Sequence, residues 1–410
     1  MSVLVVGGGI GGLTTALALH ERGIRDVTVL EASREIRELG VGINTLPHAI
    51  RALRDLGLLD ALDAVALRTA ELFYLNRQGQ QIWHEPRGLD AGHDVPQLSI
   101  HRGMLQGVIA NAVRERLGPD AIRTGHRLTG IVADDDGVTI RVTDRSDDEP
   151  RAMRADVLVG ADGIHSTVRE TLFPGEGPPR WNGSTLWRGA RPWPAFLTGR
   201  SMIIAGGMAS KLVVYPIAPG DDAGVPLTNW AVIAPTGEAG GPPPRPQSWL
   251  EQGHLDELLP HVEGFTVPHV DAVGLIAATE TVYEYPMCDR DPLPRWSHGR
   301  VTLLGDAAHP MYPVGSNGAS QAILDAVALA GQLAAGDDPA AALRRYEEER
   351  LPATAAIVRA NRTGGPEGVI DAVERLAPDG FEDIEAVLPH AERAAIVQGY
   401  AAQAGFAPRR

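Results

Sequence analysis

The chain has 410 residues, 44% hydrophobic and 22% charged, an ordinary balance for a globular protein and enough length for two packed units. A net charge of −15 argues against nucleic acid or an anionic membrane as partner. The single cysteine, Cys288, leaves no intrachain disulfide and no cysteine metal cluster. No apolar run is long enough to span a bilayer, and the N-terminus lacks a basic signal-peptide region, so a cytoplasmic protein is expected.

The first thirty-one residues are the most informative. Val3 to Val6 reads as a short apolar strand, and Gly7-Gly8-Gly9-Ile10-Gly11-Gly12 follows as G-x-G-x-x-G. Leu13 to Arg22 reads as a helix stopped by Gly23, and Val27 to Leu30 as a second strand ending at Glu31. This is the βαβ opening of a dinucleotide site. Gly7 permits the tight turn, Gly9 lets a pyrophosphate approach the backbone, and Gly12 lets the helix pack on the sheet. The helix N-terminus offers N–H groups to phosphate. Glu31 suits the two ribose hydroxyls of an adenosine and repels a 2′-phosphate, which argues against NADP here. The stretch by itself does not separate FAD from NAD.

Further on, Glu38 to Asn44 is a glycine-containing loop that includes Gly42, and Pro47 to Leu62 reads as one amphipathic helix carrying Ile50, Leu53, Leu56 and Leu59. Glu71 to Glu85 reads as strands about a turn at Gln78-Gly79, Met104 to Leu117 as a helix, and Arg127 to Val142 as a hairpin turning at 134–137. Asp147 to Pro150 has the composition of another turn. Val157 to Val159 is a buried strand, Gly160 to Gly163 a turn, and Ser166 to Arg169 a helix start.

From about 176 to 289 the α/β alternation stops. Strands at Met202 to Ala205, Leu212 to Ile217, Trp230 to Ile233 and Thr281 to Tyr285, with a Pro-rich loop at Gly240 to Pro246 and a helix at Trp249 to Leu259, indicate an inserted, mostly antiparallel domain. Val301 to Leu304 returns to strand, and Gly305-Asp306-Ala307-Ala308-His309-Pro310 and Pro313 to Gly318 follow. Helices are expected over Ala319 to Leu333 and Ala340 to Ala360, with two short ones around Pro378 and Pro389. The fold class is thus α/β: a Rossmann-like domain in three parts (1–75, 98–175, 290–355), substrate-domain strands at 76–97, the inserted domain at 176–289, and C-terminal helices at 356–410.

Three separated motifs, G-x-G-x-x-G at 7–12, D-G-x-x-S-x-x-R at 162–169, and G-D-A-A-H-P with P-x-G-x-N-G at 305–318, resemble the single-component, para-hydroxybenzoate hydroxylase-like FAD monooxygenases. Gly40 to Asn44, Ser99 to Gly103, Val157 to Ser166, Leu186 to Gly189, and Tyr285 to Met287 with Asp289 to Pro294 are similar to the phenazine-carboxylate branch, the 5-methylphenazine-1-carboxylate monooxygenases. The resemblance implies FAD as cofactor, NADH or NADPH as transient co-substrate, O2, a small aromatic substrate and no metal. A homodimer is compatible with it. It implies Glu31 on the ribose, Arg102 on the pyrophosphate or ribityl chain, Leu128 near the adenine, Asp162 and Gly163 over the pyrophosphate, and Asp306 on a ribityl hydroxyl. Pro313 and Gly315 belong to the loop beside the flavin, and Gly318 and Ala319 would offer N–H groups to its pyrimidine edge. Oxygen would pass through a flavin C4a-hydroperoxide, with loss of CO2 where the hydroxylated carbon bears a carboxylate.

The residues themselves agree on one point. A helix starting near Gly318 presents N–H groups that stabilise an anion such as a reduced flavin. The resemblance also implies a flavin that moves between an inner and an outer position, and glycines 40, 42, 315 and 318 would tolerate that motion. Lys211 and Tyr215 share a strand face and are the candidates to position substrate, with a solvated strand end and core packing as their plainer roles. Trp187, Trp230 and Tyr285 suit an aromatic ligand or a core. Monooxygenation of a non-aromatic natural product or antibiotic, another flavin reaction class, and a non-enzymatic flavin-binding regulator are the alternatives.

Overall fold

The computed structural model describes the chain apart from residues 37–40, 146–148, 208–209, 221–223, 246–250, 337 and 408–410. Its first sheet is parallel throughout, in the order Val301–Leu303, Val157–Gly160, Ser2–Val6, Asp26–Glu31 and Ile122–Thr124. Central strands of a parallel sheet are covered on both faces, which is why Val3 to Val6 is apolar without alternation. Helix Ile10–Glu21 packs between helices Arg102–Leu117 and Gly318–Ala334 on this sheet. Leu13, Leu17 and Leu19 are fully buried there.

The second sheet has seven strands: Tyr283–Asp289, Arg180–Pro192, Pro226–Pro235, Lys211–Gly220, Ser201–Ala205, Glu71–Leu75 and Gln81–Pro86. Only the pair Ser201–Ala205 and Glu71–Leu75 is parallel. Sequence reading assigned Glu71 to Leu75 to the first part of the FAD-binding domain, and the strand hydrogen-bonds in this second sheet. Side chains alternate across the pleat. One face buries Leu212, Val214, Trp230 and Val232, with Trp187, beneath helices Leu255–Leu258 and Ala272–Ala277. The opposite face carries Lys211, Val213, Tyr215, Asn229, Ala231 and Arg188, in register. Two three-stranded sheets complete the strands: Gly42–Thr45, Gln97–His101 and Leu67–Thr69, and the meander His126–Ala133, Val138–Asp144 and Pro150–Ala155.

Several expectations are corrected. The helix read over Pro47 to Leu62 is two, Pro47–Asp55 and Leu59–Asp63, because Gly57 takes φ +71° and its N–H turns back to the Arg54 carbonyl. The strand Arg180–Pro192 was not expected, since it follows the Pro- and Gly-rich stretch 174–179 and its own residues, broken by three arginines and two glycines, show no sustained apolar or alternating run. The last strand of the insertion starts at Tyr283 rather than Thr281. Trp187 and Trp230 are core residues, donating to Glu284 (2.9 Å) and Thr279 (2.9 Å) on the face away from Arg188. Among the described residues the tail forms three α-helices, Gly368–Leu376, Ile384–Val387 and His390–Gln403, with Pro378 and Pro389 between them. Of the helix expected at 249–259, residues 249–250 lie outside the described residues, and the rest is helical only from Leu255. Gly40, Asp147, Asp148 and Pro246 also lie outside them. Among the described residues no helix is long and apolar enough to cross a membrane.

Candidate active site

Four motif segments leave the parallel sheet at one end. Gly7 follows Val6, Glu31 closes Asp26–Glu31, Ala161 and Asp162 follow Gly160, and Asp306 follows Val301–Leu303. This carboxyl end is where open parallel sheets bind ligands. The glycines are there for contact. A Cβ on Gly12 would sit 2.0 Å from the Gly7 carbonyl oxygen, and one on Gly7 would sit 2.2 Å from that of Ala161. By contrast, a Cβ on Gly9 meets nothing within 4 Å. Gly9 is the N-cap of helix Ile10–Glu21 and gives its first turn no side-chain acceptor. Open space over an uncapped helix start is what a pyrophosphate needs. Glu31 stands alongside, its carboxylate accepting N–H bonds from Gly8 (2.8 Å) and Ser33 (2.7 Å). The donor set and the cradle at Gly9 fit FAD, with Glu31 left two further lone pairs for ribose hydroxyls.

The second and third motifs are tied together by buried polar contacts. Asp162 accepts from the Ser166 hydroxyl (2.5 Å) and the Thr167 N–H (2.7 Å), so its carboxylate caps the helix Thr167–Leu172. Arg169, 1% exposed, donates to the carbonyls of Ala307 (3.0 Å) and Ala308 (2.9 Å) and pairs with Glu176. Asp325 accepts from the Gly305 N–H (3.1 Å), His309 Nε2 (2.5 Å) and Arg350 Nε (2.8 Å). Burial pushes the Asp325 carboxyl up, but His309 and Arg350 outweigh it and hold it at about 2. His309 is therefore a structural partner of the loop that presents Asp306. Asp306 is solvent-exposed yet densely surrounded by protein, and desolvation raises its carboxyl against the opposing charges of His309 and Arg102. Its Oδ1 lies 4.0 Å from the point where a Cβ on Gly318 would stand. Gly318 and Ala319 open helix Gly318–Ala334, whose N-cap Asn317 makes no side-chain cap.

The second sheet meets this region through Gly42. Its N–H donates to Asn229 Oδ1 (2.7 Å) and its carbonyl accepts from Arg188. A Cβ on Gly42 would meet Asn229 at 2.8 Å, so this glycine is pressed against the sheet. Arg188, 8% exposed, also donates to the Tyr285 hydroxyl (2.9 Å) and adjoins that of Tyr215. Among the described residues it has no carboxylate partner, and its Nε is buried without an acceptor. Burial pushes the Tyr215 phenol up to about 12, with Arg188 opposing, so the hydroxyl stays protonated. Lys211, on the same face, is 3% exposed and forms an ion pair with Glu367. Lys211 also lines a small cavity with Met287, Tyr312, Val314 and Asn361.

The structure thus brings Gly7, Gly9, Gly12, Glu31, Asp162 and Gly163 to one sheet end. Arg102 and Asp306 are electrostatic neighbours there. Leu128 is a buried core residue of the meander, 5% exposed. Pro313 and Gly315 lie in the loop before Gly318. Arg188 was not singled out from the sequence, and Tyr285 was read only as suiting an aromatic ligand or a core. The signal for Arg188 was a charged residue between the apolar pair Leu186-Trp187 and Gly189.

A dinucleotide cradle at a parallel sheet end, facing a polar patch on an antiparallel sheet, defines a flavoprotein oxygenase architecture. A family model described as an FAD binding domain matches residues 1–185 and 284–361, and the chain belongs to that family. It is 47% identical over 363 residues to the phenazine 1,6-dicarboxylic acid hydroxylase of Lysobacter antibioticus, covering 88% of this chain and 89% of that protein. It is 33% identical to the 3-hydroxybenzoate 6-hydroxylase 1 of Aquipseudomonas alcaligenes, covering 87% and 86%. The crystal structure of Klebsiella pneumoniae HpxO complexed with FAD and uric acid matches with a TM-score of 0.76 at 25% identity, over 100% of this chain and 97% of that one. This chain is an FAD-dependent monooxygenase.

Proposed function

We propose that the enzyme hydroxylates an aromatic or heteroaromatic carboxylate of the phenazine type, with NADH or NADPH as electron donor. The observation that carries the carboxylate is Arg188, a buried cation whose described partners are two phenols and one carbonyl. A buried charge without a counter-ion is costly, and a substrate carboxylate would supply one. Planar, bidentate guanidinium geometry suits that group. The acid named in the Lysobacter relative supports the choice of ring.

Bound FAD supplies electron transfer from NAD(P)H and activation of O2. The chain's own residues bind, orient and exclude water. The glycine cradle and Glu31 hold the adenosine diphosphate end, and Arg102, Asp306 and the first N–H groups of helix Gly318–Ala334 hold the ribityl and ring end. That helix start favours negative charge on the ring. Asp162 acts through the helix it caps, keeping Gly163 in place over the pyrophosphate. Arg188, Tyr285 and Tyr215 orient the substrate, and the protonated Tyr215 donates to a ring oxygen or carboxylate. Lys211 enters this reading as a wall residue, its charge already met by Glu367. Leu128 supports the adenine side from the core. The domain division read from the sequence, a cytoplasmic location and a homodimer remain part of the same proposal.

The test is NADH consumption screened against phenazine, quinoline, salicylate and polyphenol compounds, with product mass. A product one oxygen atom heavier than its carboxylated substrate, or the same product less CO2, is expected. Consumption that yields only hydrogen peroxide with every carboxylated ring would overturn the substrate class.

A further inference from the structure

We propose that the C-terminal segment 362–407 is a clamp on the loop before helix Gly318–Ala334, with Tyr400 as its positioning residue for the flavin. The proposal rests on the reading of that loop as flavin-facing. The family match ends at residue 361, so the segment lies outside it.

The loop holds two successive left-handed residues, Gly315 (φ +64°) and Ser316 (φ +58°). The second is not glycine, and such a conformation persists only where the surroundings hold it. The holding contacts come largely from the tail. Tyr400 donates its hydroxyl proton to Asn361 Oδ1 (2.7 Å) and accepts from Asn317 Nδ2 (2.8 Å). Asn317 Nδ2 also donates to the Gly315 carbonyl (3.0 Å), and Asn361 Nδ2 to that of Tyr312 (3.0 Å). Glu367 accepts from the Gly315 N–H (3.2 Å) while pairing with Lys211. The Tyr400 ring lies against Gly315, where a Cβ would meet it at 2.6 Å. One residue past this knot, Gly318 begins that helix, and Asp306 Oδ1 lies 4.0 Å from where a Cβ on Gly318 would stand. A hydroxyl in the last helix therefore sets where the first N–H groups of Gly318–Ala334 point.

The experiment compares Tyr400→Phe with Val397→Ala, a change on the same helix that removes only buried apolar contact. The readouts are FAD affinity of the apoprotein, midpoint potential of the bound flavin, and thermal stability. Tyr400→Phe should weaken FAD binding about tenfold and lower the potential, because the N–H groups no longer converge on the reduced ring. Val397→Ala should lower thermal stability and leave affinity and potential at wild-type values. Asn361→Ala, which removes the acceptor of the same hydroxyl, should shift affinity and potential in the direction of Tyr400→Phe. Wild-type affinity and potential in Tyr400→Phe overturn the clamp, as do equal shifts in Val397→Ala. Wild-type protein that takes up no FAD overturns the flavin reading itself.

Discussion

The parallel-sheet end and the polar face of the seven-stranded sheet carry function in different ways. At the first, backbone does the binding. Gly7, Gly9 and Gly12 matter for the side chains they lack, and the helix starts at Ile10 and Gly318 for their N–H groups. At the second, on the reading proposed above, side chains do it. Arg188, Tyr215 and Asn229 come from three strands and meet only because register places them on one face. A backbone site is written into a few consecutive residues, and a side-chain site into the pairing of distant strands.

This difference gives an ordered set of expectations. The largest effect belongs to Gly12→Ala. Its Cβ would stand 2.0 Å from the Gly7 carbonyl, so backbone must move, and purified protein should carry no flavin. Gly9→Ala separates contact from cradle: with nothing within 4 Å, the fold and thermal stability should be kept while FAD affinity falls. Equal stability losses in the two variants would show that Gly9 serves packing.

Next comes Lys211→Met, which leaves Glu367 buried and unpaired. Breaking such a pair costs about 3–5 kcal/mol, read by denaturant unfolding. Lys211→Met combined with Glu367→Gln should recover much of that loss and leave KM for carboxylated substrates unchanged. A raised KM in the double variant would return the carboxylate to Lys211. Arg188→Met should lower kcat/KM for carboxylated rings by the worth of a charged hydrogen bond, about 1.5–3 kcal/mol, and change decarboxylated analogues less. An equal loss for both would remove the carboxylate from Arg188.

The last effect, read within about one pH unit below the ordinary imidazole value, is a pH dependence where helix Pro47–Asp55 meets helix Gly318–Ala334 and the tail. His48 lies 3.3 Å from Gln321 Nε2 and against Phe406 of the tail. Burial, then Arg350 and Arg51, lower its imidazole to about 3. The unfolded chain binds this proton at an ordinary value and the folded chain does not, so stability is full above the ordinary value. It falls as pH drops toward about 3. The slope should approach about 1.4 kcal/mol per pH unit, and His48→Gln should flatten it. An unchanged slope in that variant would assign the proton elsewhere.

The same contrast explains what was legible in the sequence. Glu31 closes its strand and Asp162 and Asp306 stand within three residues of the ends of theirs, so their place at the sheet end came with the motif. Arg188 stands in a motif-like run, but its meaning needs the pairing with Ala231 and the nearness of Tyr285. Trp187 and Trp230 were ambiguous because the face each occupies depends on register, and both fall on the core side. The helix break at Gly57 was missed because the apolar spacing runs on through it. The tail was read only as helices, since nothing local in Tyr400 or Glu367 announces a partner between 39 and 156 residues back in the chain.

The most direct measurement is the rate of flavin reduction by NADH in a stopped-flow instrument, with and without a phenazine carboxylate. A ligand held on Arg188 and Tyr215 completes the charge and hydrogen bonding of the sheet face opposite the flavin site, so reduction should be slow alone and much faster with ligand. Equal rates with and without every carboxylated ring tested would contradict the account.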